Sequence, residues 1–470
     1  MKRRTLLSII IPISILFLLI NAYITFFGVT PYAPFFLSKI LDPQAQINDF
    51  NKNDRILIVA PHPDDEILSS AGVIQRALSV GAKVKVLYLT LGDHNITAFW
   101  LYEKHPILSS IQYREMGDLR RDEAIEGTSS LGLNKDDLIF LGYPDYETLN
   151  IWENYWNPNT SAFDHITRTS SVPYENAYRY KAKYNSTEVL KDFKTILKQF
   201  DPTIVIYPTH LDINPDHQSA SLFSKVAILE TGIHPIELQY LVHQKSFPRP
   251  LFYNPASYLL PPDFYINLPT LYKNFDLTSI EEQKKYQALL KYKTQLANRT
   301  EPFFLTSFVR RNELFLNEDQ VLISSEDSTF YLLPSNFLFG KFRESIKITD
   351  LTINKENSGS IIVNIKTSQP LKKSSIFRVY FFPYKDGMPF QNMTKLLIEI
   401  SGGKDVKIRD IVTNKIISNE IHFEKKDNTL NLKIPESLVN NADRFFIHFQ
   451  SGFANFKLYR TPWQLFEINN

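Results

Sequence analysis

Residues 56–60, Ile-Leu-Ile-Val-Ala, form an unbroken apolar run that meets Pro61 and is followed at once by His62-Pro63-Asp64-Asp65-Glu66. A continuous run of this length is the pattern of a strand covered on both faces, as in a parallel sheet flanked by helices. In open α/β sheets ligands bind beyond the carboxyl ends of the strands, which is where this polar cluster begins. Three adjacent acids repel one another, by about 1 kcal/mol per pair of unit charges 4 Å apart in water and by more when partly buried. A positive group is therefore expected beside them.

The elements that follow extend the α/β pattern. A helical pattern from Ser69 to Ser79 ends at Gly81 and leads into a second strand, Val84 to Thr90. A helix over Tyr113–Leu131, a strand over Leu138–Leu141, a helix over Thr187–Phe200 broken by Asp201-Pro202, and a buried strand over Thr203–Tyr207 complete a Rossmann-like, mainly parallel sheet. Thr278 and Ser279 each precede a glutamate by three residues, a capping-box signal for a helix reaching Leu296. From Ser345 onward the segments are short, apolar or alternating, as in Ile361–Ile365, Phe377–Phe382, Leu430–Ile434 and Phe445–Phe449, and a β-sandwich is expected there.

Lys2, Arg3 and Arg4 precede an apolar stretch from Leu6 to Gly28. Roughly 20 such residues cross a bilayer core, and basic flanks stay in the cytoplasm. The expectation is a single-pass membrane helix with the remaining chain extracytoplasmic. A cleaved signal peptide begins similarly, but this run is longer than a usual signal core and no A-x-A site follows. The expected organisation is a membrane anchor in 1–30, a linker in 31–53, an α/β domain in 54–317, a second linker in 318–344 and a β-sandwich in 345–470. The formal net charge of +2 gives no reason to expect nucleic acid as a partner. The absence of cysteine excludes disulfides and thiolate metal sites.

Three polar clusters follow predicted strands: His62 to Glu66, then Gly92-Asp93-His94, then His210 through His217 in T-H-L-D-I-N-P-D-H. Strand ends of one sheet bring such clusters together. Two histidines and one carboxylate drawn from the first and last clusters would hold a divalent cation such as Zn²⁺ and leave a position open, as catalytic sites do. The cation would also answer the repulsion among the three acids.

The stretch A-P-H-P-D-D-E, followed by N-P-D-H after a later strand, resembles the LmbE-like or PIG-L family of zinc-dependent N-acetylglucosaminyl de-N-acetylases. Matching stretches are L-R-R-D-E-A at Leu119–Ala124, F-L-G-Y-P-D at Phe140–Asp145, Y-L-V-H at Tyr240–His243 and R-R-N-E-L-F at Arg310–Phe315, so the resemblance covers about 54–317. It implies Zn²⁺ held by His62, Asp65 and His217, with Asp64 as general base. The implied substrate is an N-acetylated amino sugar in a glycan or glycolipid. One departure matters: the family commonly has H-P-D-H at the later motif, and here the first histidine is Asn214. An amide donates a hydrogen bond to an oxyanion but is not an acid at neutral pH. The leaving group's proton would then come from Asp64 acting a second time, or from His243 or His210.

Other residues carry two readings each. Asp216 orients a histidine or caps a helix. Asp93 and His94 line the substrate pocket or a surface loop. Arg120 and Arg121 contact a substrate hydroxyl or phosphate, or are solvated on a helix face. Trp463 and Tyr459 form a sugar-stacking platform or belong to the sandwich core, and the Tyr-, Trp- and Asn-rich stretch Trp152–Tyr184 would suit a sugar-binding rim. The expected function is a membrane-anchored zinc hydrolase removing N-acetyl groups from N-acetylglucosamine-type glycans or glycoconjugates. The alternatives are a metal-dependent amidase acting on a non-sugar acyl amide, and a glycan-binding protein without catalysis.

Overall fold

The computed structural model describes residues 11–19, 46–47, 49–95, 101–102, 109–245, 247–262, 270–297, 301–318, 321–323, 328–329, 348–356, 358–370, 373–402, 405–417, 421–439, 442–453 and 456–468. Of the stretch Leu6–Gly28, residues 11–19 are helical and exposed, and the rest of that expected span lies outside the described residues. Among the described residues no helix is long and apolar enough to cross a membrane.

In chain order the first elements are β1 (Arg55–Ala60), α1 (Asp65–Ser79), β2 (Lys83–Thr90), α2 (Ser110–Ser129), β3 (Leu138–Tyr143), α3 (Thr148–Asn154), α4 (Ser186–Phe200), β4 (Ile204–Pro208), α5 (Pro215–Thr231) and β5 (Ile236–Tyr240). They are followed by β6 (Thr270–Asp276), α6 (Ser279–Leu289), α7 (Lys293–Leu296), α8 (Glu301–Thr306) and β7 (Asn312–Glu318). The strands form one sheet in the order β3-β2-β1-β4-β5-β7-β6. β1 and β2 run parallel from Arg55 opposite Lys83 to Ala60 opposite Tyr88, while β5 and β7 are antiparallel. This is the α/β, mainly parallel sheet that the apolar run at 56–60 demands.

Compact packing divides the chain into two units, Met1–Ile139 with Glu237–Asn317, and Phe140–Ile236 with Glu318–Asn470. In the first, α1 is buried almost throughout. Glu313, in the R-R-N-E-L-F stretch, accepts from the backbone N–H groups of Gly72 and Val73 at 2.9 and 3.1 Å, and Lys285 of α6 donates to both Glu313 and the Leu68 carbonyl. A buried ion pair therefore clamps the helix that follows the acidic cluster. The capping box at Thr278 forms as expected: its hydroxyl accepts from the Glu281 N–H, and Glu281 accepts from the Thr278 N–H. The helix it opens stops at Leu289, with α7 a separate turn, so the continuous helix to Leu296 is replaced by two pieces.

In the second unit, α4 buries Val189, Leu190, Phe193, Ile196 and Leu197, and Asn185 caps its N-terminus by accepting from the Glu188 N–H. The C-terminal strands are β8 (Val321–Ile323), β9 (Ser328–Thr329), β10 (Ile348–Lys355), β11 (Ile361–Thr367), β12 (Ser375–Tyr384), β13 (Leu396–Ser401), β14 (Asp405–Asp410), β15 (Ile416–Ile417), β16 (His422–Lys426), β17 (Thr429–Ile434), β18 (Arg444–Phe453), β19 (Phe456–Arg460) and β20 (Gln464–Ile468). They build a sheet ordered β16-β17-β11-β10-β9 and another ordered β15-β14-β13-β12-β18-β20-β8, with β19 on β18. Alternate residues of both sheets, among them Leu351, Val363, Val379, Ile398, Leu432 and Phe449, share one buried cluster. Two of these strands, β8 and β9, lie in 318–344, where the sequence suggested only a linker; β8 pairs with β20 and β9 with β10.

The outer face of the larger sheet is also covered, by α3. Trp152 is fully buried, with its ring 5.0 Å from Phe223, 5.7 Å from Phe390, 5.8 Å from Phe446 and 5.8 Å from Trp463. Next to it the Glu153 carboxylate accepts from Arg460 at 2.7 Å and from Gln450 at 3.3 Å. Trp463 and Tyr459 are accordingly core residues, and an exposed sugar platform built on them is excluded. Burying an indole between sheet and helix stabilises this packing by a few kcal/mol, on the order of 25 cal/mol per Å² of apolar surface.

Candidate active site

The first cluster is a tight turn between β1 and α1. Asp65 and Glu66 lie in the first turn of α1, and Asp64 is its N-cap with φ 127° and ψ −29°, a region side-chain-bearing residues rarely adopt. The turn is held by its own acids: the His62 N–H donates to Asp65 Oδ2 at 2.9 Å, and the Asp64 N–H donates to Glu66 Oε2 at 3.1 Å. His62 Nδ1 lies 3.2 Å from the same Asp65 oxygen. His62, Asp64, Asp65 and Glu66 are all buried. Burial pushes Asp64 well above the usual carboxylate range, against the pull of Arg120. Burial likewise raises Glu66 to about 7, although the Tyr292 hydroxyl donates to Glu66 and favours its ionised form.

Arg120 is the positive group in this part of the protein. It is buried on α2, and its guanidinium donates to the Gly92 carbonyl and the Pro63 carbonyl, each at 2.8 Å, with Nη2 3.4 Å from Asp64 Oδ2. Neither the solvated helix face nor a simple substrate contact describes it; Arg120 ties the first cluster to the Gly92-Asp93-His94 turn. Gly92 has φ +64°, and a Cβ built there would lie 1.9 Å from Arg120 Nη1, so the close approach requires glycine. Asp93 is buried, and His94 Nε2 lies 3.8 Å from its Oδ1. Glu123, one turn beyond Arg120, accepts from the Thr294 N–H at 2.8 Å and its hydroxyl at 2.6 Å and so anchors α2 to α7. Tyr292 and Glu123 were not singled out from the sequence, because their partners are distant along the chain.

The second cluster is built conventionally. Asn214 is the N-cap of α5, with its Oδ1 accepting from the Asp216 N–H at 2.8 Å and Pro215 at the first helical position. That leaves the Asn214 amide NH₂ as a donor. Asp212 accepts from the Asn214 N–H at 2.8 Å, and its other oxygen lies 3.1 Å from His217 Nδ1, an ion-pair distance rather than an aligned hydrogen bond. A carboxylate there favours the proton on Nδ1 and keeps Nε2 as the lone-pair donor. Asp212 was passed over in the sequence; its signal was only its place in T-H-L-D-I-N-P-D-H. Asp216 accepts from the Tyr146 N–H at 2.7 Å, the Thr148 N–H at 3.3 Å and the Thr148 hydroxyl, so it fastens α5 to the turn after β3. His243 follows β5 and stacks on Phe304, with centroids 5.7 Å apart and an interplanar angle of 17°. His210 is half-buried in the loop after β4.

In the first unit His62 is buried beside Asp65, and in the second His217 is buried beside Asp212, with Asp145 and Asp216 also buried. Two imidazoles with one carboxylate, each imidazole beside a carboxylate, fit a borderline divalent cation.

Residues 57–228 match the model of the family described as PIG-L: GlcNAc-PI de-N-acetylase. No curated protein matches the chain in sequence. Among solved structures, the chain is similar to the zinc-inhibited form of teicoplanin deacetylase, with 19% identity over 51% of this chain and 84% of that one, and a TM-score of 0.33. It is similar also to an N,N′-diacetylchitobiose deacetylase from Pyrococcus horikoshii, with 19% identity over 62% of this chain and 95% of that one, and a TM-score of 0.36. A third similar structure is the 4-carboxy-2-hydroxymuconate hydratase GalB from Pseudomonas putida KT2440, with 15% identity over 61% and 100% of the two chains and a TM-score of 0.36.

Proposed function

We propose that the protein is a zinc-dependent hydrolase that removes the N-acetyl group from N-acetylglucosamine-type units of a glycan or glycolipid. The observation that carries this reading is the buried pair His62 and Asp65, which flanks a strained acid, Asp64. The family description of residues 57–228 supports the acetyl amino-sugar class. A divalent cation held by His62, Asp65 and His217, the ligand set this reading calls for, would act as a Lewis acid toward the amide carbonyl and the attacking water.

The remaining chemistry falls to the chain's own groups. Asp64, fixed by its N–H bond to Glu66 and faced by Arg120, takes the proton of the attacking water as general base. Asn214, whose oxygen is committed to the helix cap, offers N–H to the developing oxyanion and cannot supply a proton to the amine. Asp64 therefore returns the proton it accepted, and one carboxyl serves as base and then as acid. The apolar, positively flanked stretch Leu6–Gly28 supports a single membrane span with the hydrolase outside the cytoplasm.

The test is acetate release from N-acetylglucosamine oligomers, acetylated glycolipids and acyclic N-acetyl amines by the Zn²⁺-loaded protein. Release from the sugars alone is expected. Equal release from acyclic amides would replace the sugar-specific reading by that of a general amidase, and no release from any of them by a cation-loaded protein would leave only glycan binding.

A further inference from the structure

Within the second unit, α4 carries Lys191, Lys194 and Lys198 at spacings of three and four residues, which puts all three on one side of the helix over two turns, about 10 Å along its axis. Together with Gln391 and Asn392 these lysines line a groove of about 750 Å³. The charges on that wall do not cancel. Lys194 is paired with Glu230, and Glu230 also accepts from the Phe390 N–H, so this acid is fully engaged. Glu188, the one carboxylate among the described residues that line the groove, is paired with Arg179. Lys191 and Lys198 have no acidic partner among the described residues, and like charges on one helix face repel.

The opposite wall is fixed in place. The turn Phe390–Asn392 is tied by its bond to Glu230 and by Lys395, whose buried ammonium donates to the Phe390 and Met393 carbonyls. The groove thus presents two uncompensated ammonium groups and two amide side chains from rigid supports. A donor set of this kind, with its only lining acid already paired, selects oxygen anions. Lys191 and Lys198 are two helical turns apart, so a single small anion does not answer both; a chain with repeated charges does. The volume falls in the range of ligand clefts and accommodates a few sugar-sized units.

We propose that this groove binds an extended anionic polysaccharide, one carrying sulfate or carboxylate groups along its length, and does so without needing the hydrolytic site. The test uses the full-length protein and fluorescently labelled dextran sulfate and alginate, with neutral dextran as the uncharged comparison, measured by anisotropy at low and high salt. At least one charged polymer binds, neutral dextran does not, and binding weakens as salt screens the lysines. The pair Lys191→Gln with Lys198→Gln lowers affinity about tenfold at low salt, whereas Lys425→Gln with Lys426→Gln, two exposed lysines on β16 that remove the same charge, leaves it within about twofold. All four positions lie on the surface, and unchanged thermal midpoints verify that both variants fold. The proposal is overturned if neither charged polymer binds, if the Lys191 and Lys198 pair binds as the wild type does, or if the control pair loses as much.

Discussion

The clusters at 62–66 and at 212–217 both follow a strand of the same sheet and open a helix, yet they are held together in opposite ways. At the first, three consecutive acids are buried, Asp64 sits at φ 127°, and burial drives Asp64 and Glu66 toward their protonated forms. At the second, an Asn-Pro cap opens α5 in the ordinary manner, and each carboxylate accepts from nearby backbone N–H groups. The carboxylates of the later cluster are thus satisfied by hydrogen-bond donors of the protein. The earlier one, with Arg120 as its cation, still concentrates more negative charge than its surroundings favour, which is the arrangement expected of residues that receive a metal and move a proton.

The contrast is broken most severely at Asp64. Asp64→Asn removes the base while keeping the side chain's shape, and turnover of an acetylated amino sugar should fall by roughly 10²–10⁴ with the cation still bound; single-turnover acetate assays beside metal analysis check this. Asp212→Asn acts one layer out. Without the carboxylate beside His217 Nδ1, Zn²⁺ affinity should fall by roughly 10- to 100-fold, measured by competition with a chromophoric chelator, while Glu237→Gln on β5 leaves it unchanged.

A pH series sharpens the same comparison. Glu66, near 7 in the fold and in the ordinary carboxylate range when unfolded, binds its proton more tightly in the native protein, as does Asp64. Their contribution to stability is therefore complete at low pH and is lost as pH rises, for Glu66 through about 7. The chelator-treated protein should show a thermal midpoint that declines from pH 5 to about pH 8, and Glu66→Gln should flatten that decline. Saturating Zn²⁺, which favours the ionised neighbours, should reverse it.

The smallest expected effect is at the second cluster. Asn214→Ala deletes a helix cap and costs about 1 kcal/mol, whereas Asn214→Ser should cost less because a hydroxyl still caps. Urea unfolding of the two variants separates them. Asn214→His trades the cap for an acid, so a gain in turnover accompanied by a loss in stability would show that proton delivery, not oxyanion contact, limits the reaction.

What could be read without the fold was whatever is local. The run at 56–60 identified a buried strand because apolar continuity is a property of adjacent residues, and His62, Asp65 and His217 stood out because their motifs are short and follow strands. The α6 cap was equally visible, since a capping signal spans only three residues. Arg120 was not legible as a clamp on Pro63 and Gly92, because a helix-borne arginine looks alike whether it faces solvent or a buried carbonyl. Tyr292 and Glu123 pair with residues far along the chain and leave no mark near themselves. Trp463 presented both readings, and only the packing of α3 against the large sheet, with Trp152 between them, makes it core. Likewise β8 and β9 are two or three residues long and are recognisable as strands only through the partners they pair with.

The central claim is that one cation is held jointly by His62, Asp65 and His217, residues supplied by two distant motifs. Calorimetric Zn²⁺ titration of the chelator-stripped protein and of His62→Ala, Asp65→Ala and His217→Ala tests it directly. The account predicts one tight site per chain in the parent and its loss in each variant alone. Tight binding that survives His217→Ala would contradict it, because the ion would then belong to the first motif without the second histidine.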